Sequence, residues 1–522
     1  MKSKIQATLA QNILQTVPRL LTQLDRDPLS PTYGCFDRNF WHYKIRDFPS
    51  FVLQQNVLSL TLLYKNKFEG NIYYQNPNIL SYIKAGLDFW CQYQHKSGGF
   101  DEYWPNEDGY PPLVFSFYAV ARTYRELELN DQKVLKSLDR AFDRWTEYVE
   151  TDANNQEMAG VAAAYQYYLI TKSSQAEAHF KTRLSKILKK QTKEGWFPEY
   201  GGADIGYSSV FLHYLSDVSD NYTSKQVKKA LTKLVDFLSE FVHPDGTTGG
   251  EYGSRNTEYF LFKGLVTALQ HTPKAAKIIK GLDWGLDNLD DRYLFHYIFL
   301  SYIEGFLRLK QTKSVSFNGT KQKSIKKFYP ESGMVVLGNS ENYFVTNLKK
   351  GGVYKLFAKD KLISQGAGYR IKHQNKYLVS AWINPETEIN VSNDFSEIKL
   401  ISKFYLNKFF VSAPLKHIGL RILSYLPLSN LIQMLKKVLI FQDEQSIFSF
   451  ERKFVFHKKK LIIKDQIDQK LKGNRIFKLG IGAIRFVPSS NFFNKSSLSI
   501  ELFEKIKPNN KMQISQELEL KT

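Results

Sequence analysis

The chain has 522 residues and a net charge of +21, with 43% hydrophobic and 15% aromatic residues and only two cysteines, Cys35 and Cys91. That length buries large cores and implies two to four domains, or two if one is a large toroid or barrel; two cysteines without ligand spacing exclude a disulfide framework. Residues 311–522 hold 36 Lys+Arg against 16 Asp+Glu, whereas residues 1–310 hold 36 against 35. The excess is C-terminal, which fits an anionic partner for that part (acidic polysaccharide, lipid head groups or nucleic acid) or a solubilising basic surface.

The opening MKSKIQATLAQNILQTVPRLLTQL is basic, but polar residues break it before an apolar run forms, so no secretory signal is read. Through residue 310 the apolar spacing is helical. Asp131–Glu150, Ala176–Thr192 and Ser224–Val242 are amphipathic. Phe48–Tyr64, Pro112–Tyr124, Gln156–Ile170, Tyr207–Ser216, Thr257–Leu269 and Arg292–Leu309 are apolar nearly all round, as helices buried on every side are. Six buried helices with amphipathic partners predict an (α/α)6 toroid over residues 1–312.

Loops ahead of these buried helices repeat a Gly/aromatic/Glu-Tyr pattern: GGFDEYWPNEDGY (98–110), EGWFPEYGGADIGY (194–207) and DGTTGGEYGSRNTEY (245–259). Their Glu-Tyr pairs begin at Glu102, Glu199 and Glu251, separations of 97 and 52 residues, about two units and one unit of a helix pair. Stacked pairs place these loops, with ETDANNQEMAG at the slot near residue 150, on one rim.

Beyond about Gln311 the period becomes two, in runs such as MVVLGNSENYFVTNL, GVYKLFAKDKLIS, SIFSFERKFVFHKKKLIIKDQI and NRIFKLGIGAIRFV. An antiparallel β-sandwich over 313–522 is expected, with a helical insertion near 415–440 and a linker in Lys310–Lys327. The apolar stretch His417–Phe441 contains Arg421, Pro427, Lys436 and Lys437, so it falls short of a spanning helix. The expected location is cytoplasmic, with peripheral contact to an anionic membrane through the basic half as an option.

The rim loops carry the chemistry. Glycines allow positive φ and close ligand approach, and Trp196, Phe197, Tyr200 and Tyr207 offer faces to sugar rings. Glu199 and Asp204 either act as groove acids or cap backbone N–H groups. Tyr207 opens a helix, where the positive end of the dipole eases phenol ionisation. Asn155 lies 52 residues before it, one repeat, which sets the two side by side. An amide beside a phenol suits elimination across a uronate: the neutralised carboxylate acidifies the C5 proton, and a base removes it.

On these residues, and on ESGMVVLGNSENYFVTNLKKGGVYKLF (331–357) as opening strands, the chain resembles the heparinase II/III-like polysaccharide lyases. The resemblance implies a helical toroid followed by a β-sandwich, with Asn155 neutralising the substrate carboxylate and Tyr207 serving as base and acid. Gln156 stands where many such lyases have His, and no His-containing sandwich loop is clear; His373 is the nearest, in an exposed-turn setting. Substrate contacts are expected from Gln156, Glu199, Tyr200, Asp204, Glu251, Arg255, Asn256, Glu102, Tyr110, His42 and Trp41. Arg255 suits bidentate capture of a carboxylate or phosphate.

No cofactor motif is read, and the scattered histidines lack metal-ligand spacing. Nucleic acid is a poor fit, because the aromatic loops lie in the neutral half. Three activities follow: β-elimination on an acidic polysaccharide, inverting hydrolysis by paired carboxylates from Glu102, Glu199, Asp204 and Glu251, or non-catalytic binding of a glycan or lipid-linked saccharide.

Overall fold

The computed structural model describes residues 2–287, 289–312, 324–407, 413–425, 444–480 and 503–521. Twelve longer helices build the N-terminal part: α1 (Lys2–Leu21), α2 (Asn56–Lys65), α3 (Pro77–Tyr93), α4 (Tyr110–Glu126), α5 (Gln132–Glu147), α6 (Asn154–Thr171), α7 (Ser174–Leu188), α8 (Ile205–Asn221), α9 (Lys225–Leu238), α10 (Lys263–Ala268), α11 (Lys274–Gly281) and α12 (Phe299–Gln311). α2, α4, α6, α8, α10 and α12 touch in that order, and α12 returns against α2. The ring is closed. The other six each cover an inner helix, α1 closing on α12: an (α/α)6 toroid.

Composition explains the two layers. α6 is small and apolar all round, with Ala159, Val161, Ala162, Ala163 and Ala164 fully buried, so its neighbours approach closely. A Cβ at Gly160 would lie 2.4 Å from Trp145 Nε1 and 2.6 Å from the Tyr110 hydroxyl. Outer α5 and α9 instead bury one stripe each (Val134, Leu138, Ala141, Phe142, Trp145; Val227, Leu231, Leu234, Val235, Leu238). Asp131, Ser173 and Ser224 accept hydrogen bonds from backbone N–H groups at the first turns of α5, α7 and α9.

The fifth inner helix departs from expectation. Only Lys263–Ala268 of the expected Thr257–Leu269 is helical. Residues 257–261 take no regular structure, and neighbouring side chains stand in for helical acceptors: Leu261 N–H donates to Ser209 Oγ and, where the helix begins, Lys263 N–H to Ser301 Oγ, each at 3.1 Å. The sixth, too, is not α throughout, since Leu294–Ile298 forms a π-helix before α12.

The C-terminal part is a sandwich of two antiparallel sheets among the described residues. The first runs β1 (Ile325–Tyr329), β2 (Met334–Gly338), β3 (Asn342–Asn347), β4 (Val353–Ala358), β5 (Lys361–Gly366) in sequential order. Period-two alternation divides its side chains between two cores. Val335, Phe344, Tyr354 and Leu356 face the second sheet, packing with Leu400, Phe450, Phe454 and Leu461. Met334, Val336, Tyr343, Val345, Val353 and Phe357 join the core of the toroid. The helix expected near 415–440 is seen as Pro414–Ser424, with 426–443 outside the described residues, as are 481–487 of the run NRIFKLGIGAIRFV. No described helix is long and apolar enough to cross a membrane.

Candidate active site

The loops ahead of the inner helices gather on one rim around Tyr207, in the first turn of α8. The ring of Tyr200 lies 6.2 Å from that of Tyr207, and the Arg255 guanidinium sits 4.6 Å from the Tyr200 centroid and 6.0 Å from that of Tyr207. Arg255 is hydrogen-bonded to Tyr207, and its pKa is raised: burial opposes its charge, but its interactions with the neighbouring phenols, Tyr207 above all, outweigh that. Tyr200 has φ +51°, left-handed for a side chain that rarely accepts it; its N–H donates to Asp152 O at 2.8 Å. Strain of this kind collects at functional sites.

Four further phenols surround the pair. Tyr259 and Tyr297 share a hydroxyl–hydroxyl hydrogen bond, and Tyr259 and Tyr293 stack at 6.4 Å. Tyr103 lies under the Arg292 guanidinium, 5.0 Å from its centroid. Burial raises the pKa of Tyr200, Tyr259, Tyr293 and Tyr297 above the ordinary phenol value, and a negative charge on Tyr207 adds to the rise in each. They stay protonated as hydrogen-bond donors.

The carboxylates expected to face the groove serve the rim itself. Glu199 is fully buried and accepts from the backbone N–H and the side-chain Nδ2 of Asn155, both at 2.7 Å. Burial pushes its pKa well above the usual carboxylate range, against those two bonds. Asp204, also fully buried, caps α8 through Tyr207 N–H (3.1 Å), accepts from the Thr257 hydroxyl, and accepts from Arg255 N–H (2.8 Å). Glu251 faces the sandwich, 3.6 Å from Lys355 Nζ. Glu102 accepts from Arg292 Nη2.

The structure thus brings together Asn155, Gln156, Glu199, Tyr200, Asp204, Tyr207 and Arg255. Gln156 Nε2 reaches the Tyr200 hydroxyl at 3.5 Å. Asn256, left-handed at φ +57°, accepts from Lys350 of the sandwich. Tyr110 is not brought to the cleft: it is 1% exposed, and its hydroxyl donates to Glu157 (2.6 Å) within reach of Arg183 (3.0 Å). Trp41 is fixed by its Nε1 donating to Gln23 O (2.7 Å), with His42 exposed edge-on beside it. His373 lies in a strand of the second sheet, Nδ1 3.2 Å from Asn474.

Sequence reasoning missed Tyr293, Tyr297 and Arg292. The signal is DDRY (290–293), a further acid-and-tyrosine segment opening an inner helix.

Comparison with solved structures bears on the fold. A xanthan lyase of Paenibacillus superposes with TM-score 0.54 at 11% identity over 91% of this chain and 46% of the other. The chondroitin AC lyase of Streptomyces coelicolor A3, in complex with chondroitin sulphate, gives 0.57 at 10% identity over 91% of this chain and 68% of the other. The fold is polysaccharide-lyase-like. This chain spans about half the length of the xanthan lyase. No protein-family model and no curated protein matches the sequence.

Proposed function

We propose that this lyase-like chain cleaves an acidic, uronate-containing polysaccharide by β-elimination, with residues 1–312 as the catalytic unit and 313–522 as its support. The observation that carries the reading is Arg255, held cationic between the rings of Tyr200 and Tyr207 and hydrogen-bonded to Tyr207. A cation beside a phenol favours its ionised form. Arg255, with the amides of Asn155 and Gln156, neutralises the C5 carboxylate; Glu199 fixes the orientation of Asn155.

Tyr207 as phenolate removes the C5 proton, the C4–O4 bond breaks as the C4–C5 double bond forms, and the same phenol returns the proton to O4. The products are a chain with an unsaturated uronate end and a chain with a new reducing end. Tyr200, Tyr259, Tyr293 and Tyr297, kept protonated, supply donors and ring faces for the sugars.

The hydrolytic alternative loses support because Glu102, Glu199, Asp204 and Glu251 are each engaged by protein groups. Kinship with heparinase II/III-like lyases in particular, and a role in making or remodelling a cell-surface glycan, belong to the same proposal. The test incubates the protein with a panel of uronate polymers and follows ultraviolet absorbance of the new double bond. Activity that Tyr207→Phe lowers at least 10³-fold with glycan retained is expected. Glycan retained by the wild type with no absorbance on any polymer assigns the chain to binding instead.

A further inference from the structure

His296 has no part in the chemistry above, yet three observations single it out. It is 8% exposed, and its Nε2 is sealed from solvent without a hydrogen-bond partner. Native interiors rarely leave a polar atom so, and each such atom calls for an explanation. It also lies in the π-helix Leu294–Ile298, set within a segment that is otherwise α-helical from Asp291 to Gln311. Single π turns are costly and concentrate at functional sites. The turn is held in place by Asn56 Nδ2, which donates to Phe295 O at 2.6 Å.

The third observation is position. Widening of the turn sets residues four to five apart on one face, so His296 follows Arg292 as Tyr297 follows Tyr293. Its ring lies 4.2 Å from that of Tyr297 and edge-on to Phe115 at 4.8 Å. Burial, and the Arg292 cation after it, hold the imidazole pKa well below its usual value. A neutral imidazole carries one donor and one acceptor, which matches a sugar hydroxyl and not a carboxylate.

We infer that His296 is a substrate-contacting residue on the floor of the cleft, where its unpaired nitrogen takes a neutral hydroxyl of the bound glycan. Arg255 then reads the acidic group and His296 a hydroxyl of the same or the adjoining sugar. The residual exposure of the side chain is the approach, and the inference requires the ring to turn so that Nε2 meets it. The inference rests on the elimination reading.

The test uses the full chain with His296→Phe and His296→Gln, and hyaluronan, chondroitin sulphate and xanthan as probes. Since Nε2 has no protein partner, His296→Phe is expected to melt at or above the wild-type temperature. Its kcat/KM on whichever polymer the wild type cleaves falls at least tenfold, and His296→Gln, which keeps a donor and an acceptor, recovers part of the loss. A melting temperature several degrees lower marks a structural role and overturns the inference, as does a kcat/KM within twofold of wild type. A wild type inert on all three polymers overturns the elimination reading and this inference with it. Cleavage left intact in the variant overturns the inference alone.

Discussion

Asp204→Asn is the sharpest probe of how the rim is built. The carboxylate is fully buried, with three donors converging on it: Tyr207 N–H and the Thr257 hydroxyl at Oδ1, and Arg255 N–H at Oδ2. Gly253 packs so closely that a Cβ there would lie 2.6 Å from Oδ2, so the group cannot swing away. Asparagine keeps the shape but turns one acceptor into a donor, which then faces either Arg255 N–H or the Tyr207 and Thr257 donors. Losing charge-assisted hydrogen bonds worth about 1.5–3 kcal/mol each, with a buried donor left over, gives a loss of roughly 2–4 kcal/mol. That is a large part of the 5–15 kcal/mol a folded domain typically holds. Guanidinium unfolding followed by tryptophan fluorescence reads it directly, because six of the seven tryptophans lie in residues 1–312. A change below about 0.5 kcal/mol refutes the reasoning. Because Asp204 sets both the first turn of α8 and the backbone of Arg255, elimination by the folded fraction should also fall; unchanged activity per folded molecule refutes the positioning role.

Burial, with the nearby Glu102 charge, pushes the Glu107 pKa up to about 8 despite bonds from the N–H groups of Glu102 and Tyr103. The folded chain then holds a proton that the unfolded chain releases near pH 4.5. The stability from this group is complete below that pH and falls by about 1.4 kcal/mol per unit as pH rises toward 8. Glu107→Gln is expected to flatten the decline in a pH series of melting temperatures, and an unchanged slope counts against the assignment. Lys355→Met removes the cation that β4 places 3.0 Å from Glu258 and 3.6 Å from Glu251. Leaving the buried Glu251 and the partly exposed Glu258 without their cation costs up to about 3–5 kcal/mol, read as a lower guanidinium midpoint and partly relieved by adding Glu258→Gln. A Lys355→Met midpoint equal to wild type sinks the clamp.

Most of the toroid was legible because inner and outer helices differ in kind. A run such as Met158–Ala164 is buried on every side, whereas α5 alternates a buried stripe with charge. The fifth inner helix was misjudged because the groups that terminate it, Ser209 and Ser301, lie 52 and 38 residues away. The rim was legible from its repeated Gly/Glu-Tyr segments. The direction in which each acid points was not. A glycine-rich loop exposes backbone N–H groups that must find acceptors once buried, and Glu199 and Asp204 meet that need. Capping and catalysis draw on the same residue types, so only coordinates separate them.

Part of the C-terminal basic charge has an internal role. Lys327 pairs with Glu240, Lys350 donates to Gly253 O and Asn256, and Lys355 holds Glu258. Arg452 is sealed against Asp465 between the sheets. These cations answer acceptors inside the molecule, and three of the four reach across from the sandwich to the toroid. The two guanidiniums beside the phenol cluster, Arg255 and Arg292, belong to the half with almost no net charge. Recognition of an anionic substrate depends on the local field in a cleft, where desolvated cations act at short range. The sandwich supports that field by fixing the loop that carries Arg255: Lys350 binds on both sides of it, at Gly253 and Asn256.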